Sequence, residues 1–76
     1  MARLPRVTAR QALRALRRAG WYRHRQRGSH VVLKHPDKPG ARVVVPVHAG
    51  ETLYPKTLLG ILDQAGLTVD EFRDLV

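Results

Sequence analysis

Trp21-Tyr22-Arg23-His24-Arg25-Gln26-Arg27-Gly28-Ser29-His30-Val31-Val32-Leu33-Lys34-His35 is the stretch on which the reading of this chain turns. Trp21–Arg27 alternates as a strand does, although both alternating sets carry polar groups, so one of its faces is solvated or functional. Gly28 is the natural turn, because a residue without Cβ enters the left-handed region at no steric cost. His30–His35 then sets His30, Val32 and Lys34 against Val31, Leu33 and His35. With Val31 and Leu33 directed at a core, His30 and Lys34 share the opposite face. The stretch reads as a hairpin with a cationic first strand, an apolar second strand and an imidazole beside the turn.

Thr8–Ala19 precedes this hairpin as an amphipathic helix. Thr8 and Gln11 have the spacing of a capping box, and Gly20 suits a left-handed stop. Ala9, Ala12, Leu13 and Leu16 form its apolar stripe, while Arg10, Arg14, Arg17 and Arg18 cover the other side. After the hairpin, Pro36-Asp37-Lys38-Pro39-Gly40 marks a turn and Arg42–Pro46 a valine-rich third strand. A second helix starts near Pro55, carries Leu58, Leu59, Ile61, Leu62 and Ala65 inward, and stops at Gly66. A last short helix runs from Thr68 to about Leu75, capped by Thr68 and Glu71, with Leu67 and Phe72 as a hydrophobic staple. The order is α-β-β-β-α-α, an α+β fold whose three-stranded antiparallel sheet is backed by helices.

The chain has 76 residues, so a single domain spanning 1–76 is expected. A chain this short buries only about 60% of its unfolded surface, which favours chemistry on a face or in a shallow groove. There is no cysteine, hence neither a disulfide nor a thiolate metal site. No run of apolar residues is long enough to span a membrane. The arginine-rich start could imitate a transit peptide, but its capped helix reads as structure. Nothing points outside the cell, and the cytoplasm is the expected compartment.

Charge narrows the function further. The formal net charge is +8, with 14 Lys and Arg against 6 Asp and Glu. Nine arginines and no acid lie in residues 1–27, whereas residues 51–76 carry a net −3. A positive field confined to one half is the footprint of a nucleic-acid partner, with a merely solvated basic surface as the alternative. Histidine exchanges protons near neutrality, and RNA carries its own nucleophile in the 2′-hydroxyl. A basic face with one imidazole is therefore the minimum equipment for cutting RNA without a metal.

Gly28-Ser29-His30, His35-Pro36, Val45-Pro46-Val47-His48, Leu53, Thr57-Leu58, Ile61-Leu62, Gln64-Ala65-Gly66 and Asp70-Glu71-Phe72 occur in an order and spacing that resembles the HicA family of toxins from type II toxin–antitoxin modules. The likeness runs through nearly the whole chain; one departure is Lys56, where members often carry glycine. The resemblance implies a double-stranded-RNA-binding-domain-like fold (dsRBD-like), mRNA interferase activity and inhibition by a HicB antitoxin. It also implies that the histidine of Gly-Ser-His, here His30, is the catalytic residue.

Beside the resemblance, the residues carry their own readings. Arg23, Arg25, Arg27 and Lys34 suit RNA phosphates, or form a solvated edge that discourages strand addition. Gly28 serves the turn or lets the RNA backbone approach; Ser29 orients His30, touches a phosphate or satisfies local backbone. A second proton-transfer group is not evident: His24 could oppose the second strand, while His35 and His48 suit turns. His24, His30, His35 and His48 lack paired metal-ligand spacing and a neighbouring carboxylate, so neither metal nor small-molecule cofactor is expected. Trp21 and Phe72 read as core, and Tyr22 as an outward stacking platform. Two other functions stay open: a dsRBD-like module that binds RNA without cutting it, and a basic interaction protein for an acidic partner.

Overall fold

A computed structural model describes residues 3–76. Helix α1 (Ala9–Arg18) begins where Thr8 closes a capping box with Gln11: the Thr8 N–H donates to Gln11 Oε1 at 2.8 Å, and the Gln11 N–H donates to the Thr8 hydroxyl at 3.2 Å. It ends in a Schellman motif. Trp21 N–H reaches Leu16 O, Gly20 N–H reaches Arg17 O, and Gly20 adopts φ +100°. Strands β1 (Tyr22–Arg27), β2 (His30–Lys34) and β3 (Val43–Pro46) follow, then helices α2 (Pro55–Ala65) and α3 (Val69–Leu75). The sheet is antiparallel in the order β1-β2-β3, which bears out the α+β reading.

Two apolar clusters hold these elements together. Val31, Leu33, Val43 and Val45 turn one face of the sheet toward Leu16, Trp21, Ile61 and Ala65. Val7, Ala12, Ala15, Leu58, Leu62 and Phe72 fill the space where the three helices meet. Each fully buried large side chain contributes roughly 1.5–3 kcal/mol by leaving water. The core reaches β2 and β3 only: all six residues of β1 are exposed. The opposite edge, β3, is blunted by Gln64, whose Oε1 accepts from the Val44 N–H at 3.0 Å.

Leu59 departs from its expected place in the apolar stripe. It is 50% exposed, because α2 meets the core through Leu58, Ile61, Leu62 and Ala65 alone. The last capping box is present as expected. The Thr68 N–H and hydroxyl hold the Glu71 carboxyl below the usual carboxylate range. Its stabilising share is therefore complete at neutral pH and fades as acid protonates the carboxylate through that lowered pKa.

His35 joins three elements. Its Nε2 lies 3.0 Å from the carbonyl of Ala19 at the end of α1, and its Nδ1 accepts from the Asp37 N–H at 3.1 Å. These partners assign the tautomer with hydrogen on Nε2. The ring also meets Trp21 edge-on, with centroids 5.2 Å apart. A Cβ at position 20 would overlap Nε2 of His35, whereas a Cβ at Gly40, also at positive φ, meets nothing. Gly20→Ala is expected to cost at least about 2 kcal/mol and lower the melting temperature by roughly 10 °C. Gly40→Ala should cost only the backbone share of about 1–2 kcal/mol. Equal losses in thermal denaturation would show that the His35 contact does not matter.

Candidate active site

The site grows from the turn between β1 and β2. Gly28 has φ +55° and no other residue of the turn has positive φ, the sign pattern of a type II′ hairpin, whose twist matches that of the strands. Both turn carbonyls are engaged. Gly28 O accepts from Gln26 Nε2–H at 3.0 Å, and Ser29 O accepts from the Val47 N–H at 2.6 Å. Gln26 is held in turn by Arg23, whose Nη1–H donates to Gln26 Oε1 at 3.2 Å. The residue that follows, His30, thus leaves a turn pinned on both flanks.

His30 is exposed and stands opposite Arg27 on one side and Pro46 on the other. Directly opposed residues share a face, with Cβ atoms about 5 Å apart. Val31, Leu33, Val43 and Val45 occupy the helix-facing side, so His30 lies on the side turned away from the helices. Lys34, half-buried, shares that outer face with its partner Tyr22. The sequence placed these residues together, and the ladder agrees.

One strand feature differs from plain alternation. Arg25 pairs with Val32 but Arg23 pairs with Leu33, so His24 is an extra, unpaired residue in a β-bulge. The bulge reverses the parity of everything before it. Arg25 and Arg27 stand on the outer face with His30, whereas Arg23 stands on the inner face, aligned with Leu33 and bonded to Gln26. The same reversal brings Trp21 inward, where it is 2% exposed. Arg23, named with Arg25 and Arg27 as a phosphate contact, therefore stands on the other face of the strand from them.

The other candidates fall apart spatially. His35 is structural, as shown above; His24 is the exposed bulge residue; His48 lies exposed in the loop after β3. The cross-strand partners of His30 are Arg27 and Pro46, neither of them a histidine or a carboxylate. Among the described residues no three or more of His, Asp and Glu gather as a metal-holding group. Several cations serve the fold instead. Arg18 donates to Leu75 O, Lys38 to Ala65 O and over the Trp21 ring, and Arg73 to Arg3 O. Arg18 is thereby drawn away from the stripe formed by Arg10, Arg14 and Arg17.

This outer face offers an exposed proton carrier beside fixed positive charge, with no acid anywhere in β1 or β2. Such an arrangement can hold a phosphodiester and move a proton at its oxygens. A family model for the HicA toxin of bacterial toxin–antitoxin systems matches residues 9–67. The chain belongs to the HicA toxin family and is a toxin of that kind, with an antitoxin of the HicB type as the partner class the family implies. No curated protein matches the sequence.

Gln26 is the site residue that sequence reasoning passed over; its only signal was a neutral amide two places before a turn glycine, within a run of arginines. Gln26→Ala removes two exposed hydrogen bonds, Gln26 to Gly28 O and Arg23 to Gln26, each at the low end of roughly 0.5–1.5 kcal/mol, so the melting temperature should fall by only about 4–8 °C. The turn should loosen: amide order parameters at Gly28 and Ser29 are expected to fall from about 0.85 toward about 0.6. Unchanged order parameters would mean that the Val47–Ser29 bond alone fixes the turn.

Proposed function

We propose that this toxin is an endoribonuclease, an mRNA interferase that cuts single-stranded mRNA on the outer face of its sheet, with His30 as the proton-transfer residue. The observation that supports this most is the exposure of His30 on a rigidly pinned turn, directly across from Arg27 and on the same face as Arg25 and Lys34. In the reaction the 2′-oxygen attacks phosphorus and loses its proton, while the P–O5′ bond breaks and the 5′-oxygen gains one. The products are a 2′,3′-cyclic phosphate and a 5′-hydroxyl. His30 serves one or both proton transfers, a contribution typically of about 10²–10⁴-fold. Arg25, Arg27 and Lys34 hold the phosphoryl oxygens as their charge grows. Gly28 lets the backbone approach, and the hydroxyl of half-buried Ser29 orients the imidazole or meets a phosphate. Arg23 faces the other way and has no part in this site. The nucleophile is internal to the substrate, so the chemistry asks for no metal. The toxin acts in the cytoplasm until a HicB-type antitoxin blocks it.

A second reading is RNA binding without cleavage, favoured by the lack of a second histidine or a carboxylate in register with His30. The two readings part on one assay. Purified protein should degrade single-stranded RNA in the presence of EDTA, and His30→Ala should slow cutting at least about 10²-fold while RNA still binds. Cutting by the variant at the native rate would remove His30 from its role. An inert native protein that binds RNA would establish the second reading.

Arg25→Ala and Arg27→Ala should each lower the slope of log affinity against log salt by about 0.7, the share of one single-stranded phosphate contact. Arg73→Ala, at a cation occupied by the Arg3 carbonyl, should leave the slope in place. The reverse ranking in a salt series of gel shifts would put the RNA on a different surface.

A further inference from the structure

Tyr22 is an aromatic residue of the sheet that neither the core nor the proton-transfer site uses. It stands between Trp21 and Arg23, both directed inward, and across from Lys34, so it belongs to the outer face with His30. Trp21 is 2% exposed and is met by His35 and Lys38. Tyr22 is 48% exposed and, among the described residues, is met by no other ring and no stacked cation. The outer face runs in three rows. Tyr22 and Lys34 form one end, Arg25, Val32 and Val44 the middle, and Arg27, His30 and Pro46 the other end. No acid occurs in any of the three strands. Lys34 and His30 are four residues apart on β2, which sets the two end rows about 13 Å from each other.

We infer that Tyr22 is a base-stacking subsite for single-stranded RNA, and that it takes a nucleotide flanking the one that is cut. A free aromatic face beside Lys34 offers what a single strand requires, a platform for a base and a cation for the adjoining phosphate. The separation of about 13 Å from the row of His30 is too long for the nucleotide being cut, so the stacked base belongs to a neighbour. Between the two rows, buried Val32 and half-buried Val44 make an apolar floor, and Arg25 stands where the backbone passes. A base held at one end fixes the strand in one register, so the cut falls at a set distance from a base that stacks well. Tyr22 also borders a second surface. On the other side of β1 a cleft of about 680 Å³ separates the strand from α1, lined by Arg10, Arg14, Arg17 and Arg23 over aliphatic Leu13 and Val47. The pairing of Tyr22 with Lys34 directs its Cβ away from that cleft. The inference rests on RNA lying over the outer face and being cut beside His30.

The test starts with 2′-O-methyl hexanucleotides, which cannot be cut, so binding reports on Tyr22 whether or not the protein cleaves RNA. Tyr22→Ala is expected to weaken binding of the intact hexanucleotide about 5-fold or more, the share of one stacked base. It should leave binding of a fully abasic hexanucleotide unchanged. Tyr22→Phe, which keeps the ring, should bind both as the native protein does. With cleavable RNA, Tyr22→Ala should lower kcat/KM on a hexanucleotide by a similar factor and leave it unchanged on a dinucleotide, which is too short to reach Tyr22 from His30. Equal losses on intact and abasic oligonucleotides would make Tyr22 structural and overturn the inference. So would a loss with Tyr22→Phe as large as with Tyr22→Ala, which would assign the effect to the hydroxyl. Amide shifts at Leu13 and Arg14 without any at Lys34 would seat the base in the α1 cleft and overturn it as well. These results leave the role of His30 standing. A native protein that cuts neither substrate while the binding pattern holds would support the stacking and refute the nuclease reading.

Discussion

The burial of Trp21 is the constraint from which the rest of the structure follows. Counted back along a regular strand from the turn, Trp21 has the same parity as Arg27, and one of them would have to stand on the wrong face. Burying an indole removes a large apolar surface from water, while moving three arginines inward would desolvate charges without partners. The extra residue at His24 resolves the conflict by reversing the parity between Arg23 and Arg25. The bulge is thus a device that lets Trp21, the residue leading into β1, enter the core while the end of the strand presents cations on the outer face.

Its consequence is a division of labour among positive charges. Arg25, Arg27 and Lys34 share the outer face with an exposed imidazole; Arg10, Arg14, Arg17 and Arg23 line the cleft on the other side. A third set is structural: Arg18 and Lys38 donate to carbonyls at the carboxyl ends of α3 and α2, where the helix dipole favours cations. Net charge alone treats all of these as one field. Only the placement of each guanidinium says which anion it is free to meet.

Much of this was legible from the residues. Thr8 with Gln11, Thr68 with Glu71, and the glycines at 20 and 66 fixed the helix ends, because caps are local hydrogen-bond problems with local solutions. The shared face of His30 and Lys34 followed from Val31 and Leu33 having to meet the helices. Arg23 was misplaced because a bulge breaks period-2 counting without needing a glycine or proline to mark it; the parity clash of Trp21 with the arginines was its only trace. Leu59 was misplaced because an apolar side chain can sit beside a buried stripe with no partner above it. Gln26 escaped notice because its role depends on the turn carbonyl it reaches, a distance that composition does not encode.

The most direct test of the divided charge is to follow the arginine Nε–Hε resonances while the protein is titrated with a 2′-O-methyl oligonucleotide, which cannot be cut. The side chains of Arg25 and Arg27 and the His30 ring should shift together, while Arg23 and the α1 arginines hold still. Arg23 shifting in step with Arg25 and Arg27 would mean that the three share one face, and the account built on the bulge would be wrong.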